Sequence, residues 1–299
     1  MRLRPFELIQ PDTVAEAVDA FGRADGEAKL IAGGTALVPM IRLGLIRPGR
    51  VIALHRVSGF AETRAEQGAL HLGAMVTMAD LHRAPVVRGG WPLLAEAAGR
   101  VATPAIRSSA TLGGNLGYAE AASDVTPALL CLEALVETAG PGGERSLPIT
   151  GFFTGFYETA LERGEIVTGV RVPACPPGGI SGYVKFCSRS AEDKPLVGVA
   201  ALLALDRDTG RCREARIALG GAAPTAMRAG GAEKTLRGEA LSDGAIRAAA
   251  EAAASAADPL SDLMGTADYR REMVRVWVRR LLTALRDGGS ASARGLSSA

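Results

Sequence analysis

The N-terminal part of the chain alternates short apolar runs with amphipathic stretches. In residues 13–21 (TVAEAVDAF) apolar side chains recur at the helical period, and the first and fourth positions, Thr and Glu, have the spacing of a capping box. Apolar runs at 29–32 and 51–54 predict short buried strands, and the stretch 36–43 predicts a helix between them. Residues 1–55 are therefore expected to form a small β-α-β-α-β lobe.

A mixed pattern follows in residues 57–176. The segment 103–123 is rich in small residues and poor in large apolar ones. On both sides of it the apolar periodicity returns. The predicted elements are strands at 69–73 and 166–172 and helices at 78–82, 91–99 and 124–134.

Residues 173–179 (PACPPGG) have the composition of a linker. After it, three alternating segments predict an antiparallel sheet, two helical patterns follow, and the polar end at 288–299 is predicted to be disordered. The pattern indicates an α+β protein with domains at 1–176 (lobes 1–56 and 57–176) and 177–287. The C-terminal elements are strands at 182–186, 197–206 and 215–219 and helices at 242–257 and 266–286.

Composition excludes several classes of function. The net charge is only +2, and no dense basic tract indicates a nucleic-acid partner. No run approaches the ~20 apolar residues that span a bilayer, and the first residues lack the apolar core of a signal peptide, so a cytoplasmic protein without a membrane span is expected. The four cysteines form no CxxC pair, and the three histidines are scattered. We therefore expect reduced thiols, no metal site and no iron–sulfur cluster on this chain.

Two glycine motifs, AGGTAL at 32–37 and TLGGN at 111–115, are the candidates for chemistry. Glycine lets the backbone N–H groups approach a dense anion such as a dinucleotide pyrophosphate, and the first motif has the order strand, glycine loop, helix. However, the chain holds eight Gly-Gly pairs where about four or five arise by chance, and a single pair is usually a turn. Neither motif matches a Walker loop or GxGxxG. On these residues alone, both an anion-binding loop and an ordinary turn remain possible for each motif.

Four segments in the same order resemble the FAD-carrying medium subunits of the molybdenum hydroxylases, the family of xanthine dehydrogenase and aerobic carbon monoxide dehydrogenase. The resemblance covers about residues 1–286. It implies a two-lobed FAD-binding domain of the PCMH type, followed by a small C-terminal domain with a three-stranded antiparallel sheet and a helix bundle. The segments are KLIAGGTAL at 29–37, IRSSATLGGNLGYAEAASD at 106–124, GYVKFCSRSAEDKPLVGVAA at 182–201 and YRREMVRVWVRRLL at 269–282.

The resemblance also implies which residues contact FAD. Residues 32–36 would wrap the pyrophosphate and 111–115 would form the second wall of the site. Asp124 would accept a hydrogen bond from a hydroxyl of the cofactor, the pair 166–167 would pack near the adenine or flavin ring, and Lys185 would stabilise negative charge on the reduced flavin. The implied set is Lys29, Leu30, Ile31, Ala32, Gly33, Gly34, Thr35, Ala36, Leu37, Thr103, Thr111, Gly113, Gly114, Asn115, Asp124, Ile166, Val167 and Lys185.

Some of these residues have ordinary structural alternatives. Asp124 could cap the helix that follows it, and Lys185 could be a solvated strand residue. The first loop carries Thr35-Ala36 where carbon monoxide dehydrogenase subunits often have His-Ser or Gln-Ser, so one hydroxyl donor is missing. Because that loop contains no histidine, the resemblance implies a non-covalently bound FAD.

The implied function is electron transfer, with no catalytic residue on this chain. A large partner subunit would carry the molybdenum cofactor and a small one the 2Fe–2S clusters. FAD on this chain would take electrons from these clusters and pass them to an external acceptor, which the sequence does not identify. The expected assembly is a dimer of heterotrimers. The alternatives are a stand-alone FAD-dependent reductase of the same superfamily and an assembly subunit without FAD.

Overall fold

The first lobe contains a three-stranded parallel sheet. The computed structural model describes residues 4–24, 26 and 28–288, so all but the first residue of the predicted tail at 288–299 lies outside the described residues. The lobe consists of β1 (Glu7–Ile9), α1 (Val14–Gly22), β2 (Ala28–Ile31), α2 (Leu37–Arg42) and β3 (Arg50–Ala53). The strand order is β1-β3-β2, which confirms the predicted β-α-β-α-β arrangement. The predicted capping box is also present, because the Oγ1 atom of Thr13 accepts the N–H of Glu16.

The second lobe is built on a five-stranded antiparallel sheet with the order β4-β5-β10-β6-β7. Strands β5 and β10 have the bounds predicted from their apolar pattern. The elements are β4 (Thr63–Glu66), β5 (Ala69–Gly73), α3 (Met78–Arg83), α4 (Pro85–Gly90), α5 (Pro92–Gly99), α6 (Pro104–Arg107), α7 (Leu112–Tyr118), α8 (Val125–Cys131), β6 (Leu135–Gly140), β7 (Gly143–Pro148), β8 (Phe153–Gly155), β9 (Glu158–Thr159) and β10 (Ile166–Val172), with 3-10 turns at Leu54–Arg56 and Ile149–Gly151.

The C-terminal part contains an antiparallel sheet of four strands rather than the predicted three. The fourth strand has two residues and pairs with the third, and so short a segment shows no alternation in the sequence. The order is β11-β12-β13-β14. The elements are β11 (Gly179–Phe186), β12 (Val197–Leu205), β13 (Cys212–Gly220), β14 (Met227–Arg228), α9 (Gly230–Leu236), α10 (Asp243–Ala256) and α11 (Ala267–Arg286).

Strand β12 is buried on both of its faces. Its residues Ala200 and Leu202 belong to the core shared with the N-terminal lobes, whereas Val199 and Leu203 belong to the core formed with α9, α10 and α11. A strand covered on both sides needs apolar residues at every position, and the sequence VGVAALLAL supplies them. The C-terminal sheet therefore lies between the second lobe and the three C-terminal helices.

An ion pair at the start of β10 is expected to make the fold sensitive to acid. Arg145 donates to both carboxylate oxygens of Glu165, at 2.9 and 2.6 Å, and Thr138 donates its hydroxyl as well. Burial alone would raise the pKa of Glu165, but these hydrogen bonds outweigh it and lower the pKa from 4.5 to about 2. Because the folded pKa lies below the unfolded one, this carboxylate stabilises the fold above about pH 4.5, and the contribution is lost as the pH falls towards 2.

Glu165→Gln should therefore be less stable than the wild type at neutral pH and should lose less stability on acidification. Urea denaturation at a series of pH values measures both effects. Glu162→Gln is the control, because Glu162 also pairs with Arg145 but is 72% exposed, where such pairs contribute little. The same acid dependence in Glu165→Gln and wild type would contradict this assignment.

Candidate functional site

The first glycine motif forms the loop between β2 and α2. Gly34 has a φ of +71°, in the left-handed region that other residues rarely adopt. The backbone N–H groups of residues 33–36 donate to no other group in the described part of the chain. Four unused donors on one loop are what a bound anion such as a pyrophosphate requires.

The second glycine motif is organised differently. Thr111 caps α7, accepting the N–H of Gly114 at 3.2 Å, and Gly113 donates its N–H to the carbonyl of Ala74 at 2.8 Å. Asn115 donates its N–H to the carbonyl of Thr111 and accepts the hydroxyl of Ser123 with its side chain, at 2.8 Å. These backbone N–H groups all donate to acceptors within the protein. The second motif can therefore contribute contact surface to a site, but not free backbone N–H donors.

The first motif packs closely against the segment that leads into the second because Gly33 has no side chain. A Cβ atom on Gly33 would overlap the carbonyl oxygen of Ser109, and one on Gly113 would lie 2.7 Å from the Cβ of Ala74. The loops thereby form two walls of one cleft of about 590 Å³, a size usual for ligand sites. The predicted residues in the cleft are Lys29, Leu30, Ala32, Gly33, Gly34, Thr35, Ala36, Leu37, Thr111, Gly113, Gly114, Asn115 and Val167.

Five predicted site residues lie outside the lining of this cleft. Ile31 ends β2 behind Gly34, and Ile166 is fully buried in the core. Thr103 caps α6 by accepting the N–H of Ile106 at 3.2 Å. The remaining two, Asp124 and Lys185, contact each other.

Asp124 and Lys185 form a buried ion pair that joins the second lobe to the C-terminal sheet. The Nζ of Lys185 lies 3.2 Å from one carboxylate oxygen of Asp124 and donates to the carbonyl of Arg100 at 2.9 Å. The hydroxyl of Tyr183 donates to the other carboxylate oxygen at 2.8 Å. Burial raises the pKa of Asp124 to about 6, although Lys185 and Tyr183 oppose the shift. Both structural alternatives are wrong, since the Asp124 side chain does not cap α8 and Lys185 is not solvated.

Several cleft residues had no signal in the sequence. Segment 161–165 lines the cleft, and so do Met40 in α2 and Ile46 after it. Tyr118 also lines the cleft, and its position three residues after the second motif could have indicated it. The loop 161–165 has neither a motif nor a periodic pattern, so only the folded chain brings it to the site.

A polar cluster of Tyr118, Glu120, Tyr157 and Lys194 contributes to the lining of both the cleft and a second groove. Lys194 forms an ion pair with Glu120 and lies 5.6 Å from the ring centre of Tyr118. Tyr157 donates its hydroxyl to Glu120 at 2.8 Å and packs against Tyr118. Burial would raise the pKa of Glu120, but Lys194 and Tyr157 outweigh it and lower the pKa. Tyr118 belongs to the cleft, whereas the other three residues line the groove.

Within residues 4–24, 26 and 28–288, no group of three or more His, Cys, Asp or Glu side chains could hold a metal ion. In the same ranges no helix is both long and apolar enough to cross a membrane. The four cysteine thiols are all free.

Comparison with known families gives two matches that cover most of the chain. Residues 4–175 match the FAD binding domain in molybdopterin dehydrogenase. Residues 182–285 match the CO dehydrogenase flavoprotein C-terminal domain. The cleft and both glycine motifs fall within the first match, and the C-terminal sheet from Gly182 onwards falls within the second.

Individual relatives agree with these matches over nearly their whole length. The carbon monoxide dehydrogenase medium chain of Hydrogenophaga pseudoflava is 37% identical, over 93% of this chain and 96% of its own. The nicotine 6-hydroxylase medium subunit of Paenarthrobacter nicotinovorans is 35% identical, over 94% and 98%. A solved structure of carbon monoxide dehydrogenase from H. pseudoflava, lacking the Mo-pyranopterin moiety, superposes with a TM-score of 0.92 at 36% identity, over 97% of this chain and 100% of that one. The chain therefore belongs to the family of FAD-binding medium subunits of molybdenum hydroxylases, which includes carbon monoxide and xanthine dehydrogenases, and is an oxidoreductase subunit with an FAD-binding domain.

Proposed function

We propose that the cleft between the two glycine motifs binds FAD non-covalently. The observation that carries this proposal is the set of unused N–H groups on residues 33–36, which lie on the cleft wall beside a helix start. They can hold the pyrophosphate without a metal ion or a lysine. Thr111, Asn115 and Val167 line the rest of the predicted contact surface.

We further propose that the chain is an electron-transfer subunit. FAD supplies the redox chemistry when bound, accepting two electrons and releasing them to an external acceptor. The chain's own residues bind and orient it, which agrees with the lack of a nucleophile or an acid–base constellation in the sequence. Several relatives are named as medium chains or medium subunits, which indicates complexes with other chains.

The assembly is part of the same proposal. A large subunit would hold the molybdenum cofactor and a small subunit the 2Fe–2S clusters that reduce the flavin, in a dimer of heterotrimers. The division of this chain into 1–176 and 177–287, and its cytoplasmic location, remain predictions. So do the contacts of Asp124 and Lys185 with the cofactor, since their side chains bond to each other rather than line the cleft.

The visible spectrum of the purified complex tests FAD binding. We expect flavin absorption, release of FAD on denaturation, and loss of FAD in Gly114→Arg, because a side chain at Gly114 would project beside Thr111 and Ala32 in the cleft. Gly142→Arg is the control: it belongs to another Gly-Gly pair, is exposed and has no neighbouring atom to meet. A folded complex without FAD would contradict the proposal and favour an assembly subunit. NADPH oxidation by the chain alone would indicate a stand-alone reductase.

A further inference from the structure

Ser123 is a buried residue that lies one hydrogen bond away from the cleft. Only 5% of its surface is exposed, and its hydroxyl donates to the side-chain oxygen Oδ1 of Asn115 at 2.8 Å. Asn115 lines the cleft, whereas Ser123 is outside the lining. Any effect of the Ser123 hydroxyl on a molecule bound in the cleft must therefore pass through the side chain of Asn115.

The hydroxyl of Ser123 also determines which end of the Asn115 amide faces it. The oxygen of an amide can accept a hydroxyl hydrogen, and the nitrogen cannot. If the amide were reversed, the buried hydroxyl would lose the acceptor that it has, which is unfavourable. The Nδ2 group is therefore the end left for a ligand, and it donates to no other group in the part of the chain that the structure describes.

The backbone around Ser123 is itself held in place. Its N–H donates to the carbonyl of Glu120 at 3.1 Å, and the next residue, Asp124, belongs to the buried ion pair. A Cβ atom on Gly220 would lie 3.2 Å from the carbonyl oxygen of Ser123, so the end of β13 packs closely against this segment. The hydroxyl that holds Asn115 is thus fixed before any ligand binds.

We propose that Ser123 is a positioning residue for FAD, which keeps the Asn115 amide turned so that Nδ2 donates to an oxygen of the cofactor. This inference rests on the proposed function. A Cβ atom on Gly114, the residue before Asn115, would lie 3.5 Å from the Cβ of Ala32, so the amide is close to the first glycine loop and its unused N–H groups. Donors from both motifs then meet an acceptor-rich part of the cofactor. A side chain that is ordered in advance also loses less conformational entropy on binding.

FAD titration of the cofactor-free complex measures the contribution of Ser123. Ser123→Ala should weaken FAD binding about three- to tenfold, because Asn115 loses the hydrogen bond that orients it. Ser242→Ala is the matched control and should bind FAD as the wild type does. Ser242 also accepts a backbone N–H, that of Ala245 at 3.2 Å, but it lies outside the cleft lining. Unchanged FAD affinity in Ser123→Ala would overturn the inference.

A second pair of substitutions separates a positioning role from a merely structural one. If Ser123 acts through Asn115, Ser123→Ala should cause no further loss of FAD affinity in a chain that already carries Asn115→Ala. A further loss as large as that of Ser123→Ala alone would overturn the inference, because Ser123 would then act by another route.

Asn115→Asp tests the orientation of the amide. It keeps an oxygen for the Ser123 hydroxyl but replaces the Nδ2 donor by a second oxygen, so FAD should bind at least about tenfold more weakly. Wild-type affinity in this variant would show that the donor end does not face the cofactor and would overturn the inference. A wild-type complex that binds no FAD would instead overturn the proposed function, and the role of Ser123 with it.

Discussion

Asp124→Asn is expected to lower the free energy of unfolding by about 3–5 kcal/mol at neutral pH. The substitution removes the negative charge that lies 3.2 Å from the Nζ of Lys185, and both side chains are almost completely buried. Lys185 would then keep an uncompensated charge inside the protein, with the carbonyl of Arg100 as its remaining partner in the described contacts. Urea denaturation followed by tryptophan fluorescence measures the loss.

Removing both charges is the control for this prediction. Asp124→Leu/Lys185→Met should recover most of the lost stability, because an apolar pair of similar volume needs no desolvation of charge. The hydroxyl of Tyr183 loses its acceptor in that variant, so we expect recovery short of the wild type. The single variants Asp124→Leu and Lys185→Met complete the comparison. If the loss of unfolding free energy in the double variant equals the sum of the losses in these two, the ion pair does not couple the two positions.

Gly33→Ala is expected to weaken FAD binding by more than tenfold and to destabilise the fold by about 1–3 kcal/mol. The added methyl group would overlap the carbonyl oxygen of Ser109, which is backbone and cannot swing away as a side chain could. The two glycine loops would have to move apart, and the four unused N–H groups on residues 33–36 would move with them. FAD titration of the cofactor-free complex should show affinity lowered by more than tenfold.

Gly89→Ala is the matched control, since Gly89 lies outside the cleft lining and has no atom within 4 Å of the position that the methyl group would take. It lies within α4, where alanine is more favourable than glycine by up to about 1 kcal/mol. We therefore expect unchanged FAD affinity and equal or higher stability. Normal FAD binding by Gly33→Ala would contradict the close contact between the loops.

The sequence predicts elements well where one local signal dominates. The capping box at Thr13 begins a helix in the structure, and the alternating or apolar strands at 69–73 and 166–172 have their predicted bounds. Strands β6 and β7 were not predicted, because LVETAG and GERSLP lack a clear apolar alternation. They are held by pairing with each other, and β6 also pairs with β10. Such pairing between distant segments leaves no local pattern.

In the candidate site, too, local motifs were predictable from the sequence and contacts between distant residues were not. Both glycine motifs were recognisable and do form one cleft, but the reason for the glycines was only partly predicted. The sequence predicts glycines that let a ligand approach, and in the structure Gly33 and Gly113 also let other parts of the protein's own backbone come close. The pairing of Asp124 with Lys185 joins positions 61 residues apart, and no spacing rule could have predicted it.

The strand β12, with one face in each core, limits how this protein can be divided or recombined. If the chain were cut in the 173–179 segment, a large apolar surface would be exposed on each of the two fragments. Neither fragment is therefore expected to fold stably by itself. A chimaera that takes the C-terminal part from a relative would need helices α5 and α8 from the same parent, because these pack against that sheet. A substitution on one side of this contact is therefore expected to be tolerated better when it is combined with a matching substitution on the other side than when it is made alone.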